Sequence, residues 1–94
     1  MPEMSTTITI KPGEKVFVRT VTHYYVGEVV GVDERWLALT KTAWVADTGR
    51  WSEALASGTL NEVEPYPDAD VVLVSLGAVV DIAPWHGALP LGVK

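Results

Sequence analysis

The side chains best suited to chemistry are aromatic residues that stand next to cationic ones. The sequence sets Arg35 beside Trp36, and it places His23 and Tyr24 a few residues after Arg19. An aromatic face can stack on a base while a guanidinium neutralises a phosphate, a combination typical of surfaces that bind single-stranded nucleic acid. The candidate nucleic-acid contacts are therefore Arg19, His23, Tyr24, Arg35 and Trp36.

The tryptophans also have a second interpretation. Four in a chain of 94 residues is a large number: Trp36, Trp44, Trp51 and Trp85. Tryptophan buries a large apolar area, so packing in a core or a subunit interface is the interpretation we favour for most of them. A stacking platform is the alternative, and Arg35–Trp36 and Arg50–Trp51 are the pairs that would supply it.

The sequence shows no catalytic or metal-binding constellation. It has no cysteine, which excludes disulfides, thiolate zinc sites and a cysteine nucleophile. His23 and His86 are far apart and have no ligand partner at a metal-binding spacing. No serine lies in a nucleophile-elbow motif. We therefore expect a protein that is not an enzyme and that has no cofactor and no metal.

Charge and hydropathy limit the partners. The net charge is −5 and the isoelectric point is about 4.8. An acidic chain disfavours strong, sequence-independent binding to nucleic acid. The apolar runs are too short to span a bilayer, and the first residues lack the pattern of a signal peptide. We expect an intracellular protein without membrane contact.

Short apolar runs predict a chain made mainly of strands. Lys15–Val21, Tyr25–Val32 and Trp36–Thr42 alternate in strand fashion, and the third run can continue through residue 45. Gly27 and Gly31 lie inside the second run, where glycine often marks a bulge or a sharp bend.

One helix is predicted near residues 49–57. Asp47 or Thr48 is the expected N-cap, and Gly58 is the expected C-terminal stop. An apolar face for packing on the sheet is expected from Trp51, Ala54 and Leu55, which have helical spacing.

The remaining segments complete a single predicted domain over residues 1–94. Residues 1–13 are expected to be an N-terminal arm or edge strand, 61–70 an acidic loop or irregular edge, and 84–94 an irregular tail. Val71–Ser75 and Ala78–Ile82 are the last expected strands. The pattern predicts five or six short strands and one short helix, arranged as a small barrel or a sandwich.

Two stretches resemble the motifs of Sm-like proteins, including the bacterial Hfq type. Residues 15–39, KVFVRTVTHYYVGEVVGVDERWLAL, resemble the first motif, with Gly27 and Asp33 at the positions of its glycine and aspartate. Residues 71–85, VVLVSLGAVVDIAPW, resemble the second motif, two strands around a glycine, here Gly77. The resemblance implies a small, strongly bent, five-stranded Sm-like β-barrel that forms rings.

The chain also departs from the Sm pattern. Leu37 and Leu76 stand where RNA-binding Sm proteins have an asparagine and an arginine, which puts the uridine pocket in doubt. Over residues 14–90 the chain is similar to small uncharacterised proteins of bacteria, phages and marine metagenomes. The similar stretches are TVTHYYVG, AWVADTGRW, LNEVEPYPD and VVDIAPW.

These resemblances imply a homo-oligomeric ring, and the function we expect of it is weak or selective contact with single-stranded RNA or DNA. Unpaired strand edges favour such closure, and the candidate edges are Val71–Val74 and Trp36–Val45, which carry no charge apart from Lys41. The alternative is a structural component of a virion or tail, a connector or adaptor whose partners are other phage proteins. The expected location is the host cytoplasm or the virion.

Overall fold

Strands dominate the computed structural model, which describes residues 10–67 and 70–94. In chain order the elements are β1 (Lys15–Thr20), β2 (Tyr24–Val32), β3 (Trp36–Asp47), α1 (Trp51–Ser57), β4 (Glu62–Pro65), β5 (Val72–Ser75), a 3₁₀ turn (Leu76–Ala78) and β6 (Val79–Pro84). The mainly β class and the single short α-helix near residues 49–57 are thus confirmed. Up to residue 9, the predicted N-terminal arm lies outside the described residues, as do residues 68 and 69 of the predicted acidic loop. In the described part of the chain, no helix is long and apolar enough to cross a membrane.

The strands form one antiparallel sheet in the order β4-β3-β2-β1-β6, with β5 paired to β3 beside this path. The closed five-stranded barrel implied by the resemblance differs from this arrangement, because the sheet of the described residues has six strands, within the five or six that the pattern predicts, and does not close. β4 lies at the edge of the sheet, in the segment predicted to be an acidic loop or an irregular edge. β4 forms because Val63 is buried while its neighbours pair with the end of β3.

β3 bends in its middle and changes partner there. Lys41 has a φ of 49°, a left-handed conformation that is uncommon outside glycine. Before the bend, β3 pairs with β5, and beyond it β3 pairs with β4. The register between β2 and β3 shifts at Gly27, between Val26 and Glu28, and again between Val29 and Gly31. The prediction that the two strand glycines mark irregularities is therefore confirmed.

Gly27 allows β2 and the bend of β3 to approach each other closely. A Cβ atom at this position would lie 2.9 Å from Thr42 Oγ1, 3.2 Å from the Thr40 carbonyl oxygen and 3.3 Å from Leu39 Cβ. The Thr42 hydroxyl beside it is buried and has no hydrogen-bond partner among the described residues.

Both faces of the sheet are covered. Cross-strand neighbours share a face, so alternate residues of β1 belong to two different cores. The helix-side core lies under α1 and the tail and consists of Phe17, Val26, Ala43, Val45, Ala54, Leu60, Val63 and Trp85. The second core lies on the other face and consists of Val16, Val18, Val29, Leu37, Leu39 and Val74.

The helix ends as predicted but begins differently. Gly58 is the C-cap, with a left-handed φ of 74°. The N-cap is Arg50, without a side-chain hydrogen bond, so the predicted cap at Asp47 or Thr48 is wrong. Those two side chains instead stabilise the preceding turn: Asp47 Oδ1 accepts from the Gly49 N–H, and the Thr48 hydroxyl donates to the Gly49 carbonyl.

The tail after β6 has no regular secondary structure, as predicted, but it is packed on the body of the protein. Trp85 is 3% exposed, lies 5.6 Å from Phe17 between ring centroids, and donates from Nε1 to the Ala88 carbonyl. Gly87 lies so close to Gly58 that a Cβ on either residue would overlap the Cα of the other. The tail is therefore part of the helix-side core.

Gly27→Ala should destabilise the fold by about 1–3 kcal/mol, because the added methyl overpacks the bend of β3. Gly31→Ala is the matched control, since nothing lies within 4 Å of a Cβ at that position. Urea unfolding followed by circular dichroism measures both variants. Equal stability of the two variants would contradict the role assigned to Gly27.

Candidate aromatic binding site

An aromatic cleft lies where β2, the second half of β3 and β4 run side by side. Its volume is about 460 Å³. Its walls are rich in aromatic rings and proline: His23, Tyr25, Trp44, Glu64, Pro65, Tyr66 and Pro67. Clefts of this size with mostly apolar walls and a few polar groups are typical small-ligand sites.

Strand register sets the centre of the cleft. Tyr25 pairs with Trp44, and Trp44 pairs with Glu64 across the next ladder. Directly opposed residues of antiparallel strands have neighbouring side chains on one face. The three side chains therefore form a row across the sheet. Tyr25 also pairs with Val18, which places this row on the face of the second core.

The sides of the cleft come from residues next to the strands. The His23 ring, in the β1–β2 turn, lies 5.9 Å from Trp44 and 6.3 Å from Tyr25 between centroids. On the other side, Tyr66 follows β4, and its backbone N–H donates to the Thr42 carbonyl at 2.8 Å. Pro65 and Pro67 flank Tyr66 and restrict its backbone, because each proline ring fixes φ.

The phenol of Tyr25 is held in its neutral form. Burial raises its pKa, and the neighbouring Tyr66 hydroxyl raises it further. Tyr25 therefore presents an uncharged aromatic surface to the cleft. Among the described lining residues Glu64 is the single carboxylate, and none is lysine or arginine.

Two of the predicted contacts, Arg19 and Tyr24, lie on the opposite face of the sheet from this cleft. Arg19 makes a two-point ion pair with Asp81 of β6, with Nε 2.8 Å from Oδ1, and its guanidinium lies 4.8 Å from the Trp51 ring centroid. Tyr24 contacts Phe17 edge-to-face at 5.9 Å between centroids. Both side chains therefore contribute to packing beside α1.

Arg35 and Trp36 lie at the other end of β2, in its turn to β3. Asp33 Oδ1 accepts hydrogen bonds from the backbone N–H groups of both residues at 2.8 Å, and these bonds lower the pKa of Asp33. A nine-residue strand is roughly 26 Å long. The five predicted contacts thus lie at three places: Arg19 and Tyr24 beside α1, Arg35 and Trp36 where β2 turns into β3, and His23 in the β1–β2 turn. Of the five, only His23 lines the aromatic cleft.

Six of the seven lining residues are not among the contacts predicted from sequence: Tyr25, Trp44, Glu64, Pro65, Tyr66 and Pro67. The sequence favours packing for Trp44, and it predicts a loop or irregular edge for the segment of Glu64 and Tyr66. The signal that connects them is the pairing of β4 with β3, because it places Glu64 beside Trp44. A strand of four residues that ends in proline gives too short a pattern for that pairing to be predicted.

Among the described lining residues, His23 and Glu64 have side chains of the types used in catalysis and metal binding. His23 Nδ1 lies 2.9 Å from Thr22 Oγ1, but in the described residues no carboxylate hydrogen-bonds to His23. Across residues 10–67 and 70–94, no three histidine, aspartate or glutamate side chains gather in a metal-binding arrangement.

Comparison with protein-family models, curated proteins and solved structures finds no match in any of the three. The resemblance to Sm-like proteins therefore stays a prediction. Leu37, at the position of the Sm asparagine, is fully buried in the second core, and Leu76, at the position of the arginine, packs against that core. In this chain both positions serve packing.

Asp81→Asn should destabilise the protein at about pH 7 and have little effect at about pH 2. The ion pair with Arg19 lowers the pKa of Asp81 in the folded state. Its stabilisation is present above the ordinary aspartate pKa of about 3.9 and is lost as the pH falls through the lower folded-state value. Urea unfolding across this pH range measures the effect.

The control for this experiment is Glu53→Gln, which removes one exposed carboxylate from α1. It should leave the pH dependence close to that of the native chain. A difference between Asp81→Asn and the native chain that is the same at both pH values would contradict the assignment.

Proposed function

We propose that this chain is a non-enzymatic, Sm-like binding module whose ligand site is the aromatic cleft. The observation that supports this most directly is the row formed by Tyr25, Trp44 and Glu64, with His23 and Tyr66 at its sides. The row combines aromatic area with one charged group on a strand framework. Such an arrangement suits recognition, whereas a catalytic site needs a nucleophile and an oriented base within reach of each other.

The strand order supports the Sm-like part of the proposal. β1, β2 and β3 form consecutive hairpins, and β6 returns to pair with β1. Gly27 lies at a register shift between β2 and β3, and Asp33 accepts a backbone hydrogen bond in the β2–β3 turn. Gly77 lies in the 3₁₀ turn between β5 and β6. These are the positions on which the sequence resemblance rests.

The first test is a two-dimensional NMR titration with a panel of small ligands: choline, a nucleoside monophosphate, and an uncharged aromatic alcohol. At least one member should shift the Trp44 indole N–H, while the indole N–H of Trp85, buried in the helix-side core, stays in place. No shift at Trp44 with any member would contradict the proposed site.

Self-association is a second candidate function, supported by the edges of β5 and β6. Among the described strands, β5 pairs only with β3 and β6 only with β1, so each has one edge without a strand partner. Leu73 on β5 and Val80 on β6 are 57% and 61% exposed. Unpaired edges that carry exposed apolar side chains favour pairing between chains. Pairing of β5 with β6 of the next copy would close a ring.

Leu73→Glu should shift the protein from oligomer to monomer in size-exclusion chromatography with light scattering. The new charge on an exposed side chain opposes edge pairing and leaves both cores intact. Ser52→Glu adds the same charge at an exposed position of α1 and should leave the oligomer unchanged. A native chain that is monomeric at micromolar concentration would contradict the ring.

Binding of single-stranded nucleic acid is retained as a proposal for the β2–β3 turn, where Trp36 is 43% exposed beside Arg35. In a ring, copies of Arg35 would concentrate positive charge. The acidic net charge and the engagement of Arg19 by Asp81 favour protein partners instead, and so support the alternative of a connector or adaptor in a virion or tail. Fluorescence anisotropy with short RNA and DNA at low salt separates the two proposals, because phosphate contacts make binding salt-sensitive.

A further inference from the structure

We infer that the aromatic cleft binds an organic cation, specifically an alkylated ammonium group. The inference rests on the proposed role of the cleft as the ligand site and adds the chemical class of the ligand. Alkylated ammonium groups bind where several aromatic faces meet, because the negative face of each π-system attracts the cation.

The aromatic walls have the geometry that such a ligand needs. Tyr25 and Trp44 are cross-strand neighbours, and the His23 ring lies within contact range of both, at 6.3 Å and 5.9 Å between centroids. The His23 ring is tilted by 31° to Tyr25 and by 54° to Trp44, so it stacks face to face with neither. All three rings line the cleft, where a rounded group such as trimethylammonium can lie against them. Tyr66 adds a further ring on the β4 side.

The charge distribution selects a cation over an anion. Glu64 is the only carboxylate among the described residues that line the cleft, and neither lysine nor arginine is among them. A phosphate or carboxylate ligand would meet neither of these two cations there and would be repelled by Glu64. A purely apolar ligand would gain nothing from that side chain. Because Glu64 is exposed, its carboxylate remains hydrated and attracts cations over a distance.

The cleft is formed before any ligand arrives. Strand pairing fixes Trp44 and Glu64, and the backbone bond from Tyr66 to Thr42 together with two prolines holds the opposite wall. Preformed walls reduce the entropy that is lost on binding. A volume of about 460 Å³ accommodates a trimethylammonium group together with part of its alkyl stem.

The test is a titration of the native protein with choline and with dimethylbutanol, the uncharged isostere in which carbon replaces nitrogen. Two-dimensional NMR follows the Trp44 indole N–H, and calorimetry gives the affinity. Choline should bind at least roughly threefold more tightly than the isostere, since only the cation gains the interaction with the rings and with Glu64.

Two variants identify the groups responsible. Trp44→Leu removes a ring and should weaken choline binding roughly three- to tenfold. Glu64→Gln should weaken it roughly twofold to fivefold, because the carboxylate is exposed and its attraction is screened by solvent. Glu53→Gln on α1 removes an equal charge from the other side of the sheet and should leave the affinity unchanged.

The source of the cation is distinguished by a second ligand. A short peptide that contains trimethyllysine presents the same head group on a protein chain. Tighter binding of the peptide than of choline indicates a modified protein partner, and equal binding indicates a free small molecule. Either result supports the cation site.

The results that overturn the inference differ from those that overturn the proposed function. Equal affinity for choline and its isostere, or a preference for the nucleotide, overturns the cation site and leaves the cleft as a binding site. Absence of any shift at Trp44 with every ligand overturns both.

Discussion

The bend of β3 at Lys41 is the constraint on which the rest of the structure depends. β3 pairs with β5 before the bend and with β4 beyond it. The first part of the sheet therefore covers the second core, and the part beyond the bend extends toward the tail. The bend needs a partner strand without a side chain at the closest point, and Gly27 supplies it. The aromatic cleft lies on the part of the sheet beyond the bend, because only there do β2, β3 and β4 run side by side. The geometry that shapes the core therefore also creates the candidate site.

Three of the seven lysine and arginine side chains bind groups of the protein itself. Arg19 is paired with Asp81, Lys15 donates to the Gly87 carbonyl, and Lys41 lies 3.7 Å from Glu28. These contacts join β1 to β6, β1 to the tail, and β2 to β3. They reduce the positive charge that a chain of net charge −5 can offer to a phosphate backbone. Its charge favours ligands and partners that are themselves positive or apolar.

Sequence reasoning succeeded where local pattern determines structure. The three long strands, the helix stop at Gly58 and the irregularities at the strand glycines all follow from residue type and alternation. It failed where tertiary pairing decides. β4 is too short to have a pattern of its own, and the helix start at Arg50 has no capping side chain to mark it.

The candidate site was harder to predict than the fold, for a related reason. Its residues come from three strands and a turn, and they meet only through the ladders between those strands. Aromatic residues near cations in the sequence indicated Arg19 and Tyr24 instead. Both side chains lie on the face of the sheet that α1 covers. Residues adjacent in a strand lie on opposite faces, so adjacency in the sequence was a poor guide to a shared site.

The pairing of β1 with β6 has a consequence for how the chain reaches its native state. Arg19 and Asp81 are separated by 62 positions, so β1 completes its hydrogen bonds only after nearly all of the intervening chain is in place. Contacts between distant segments lose more entropy on closure and slow the search for the native topology. While the chain emerges from the ribosome, β1 and its apolar residues have one edge without a partner. Folding of this protein is therefore expected to be slower than that of folds built from local contacts, with the pairing of β6 to β1 among its late steps.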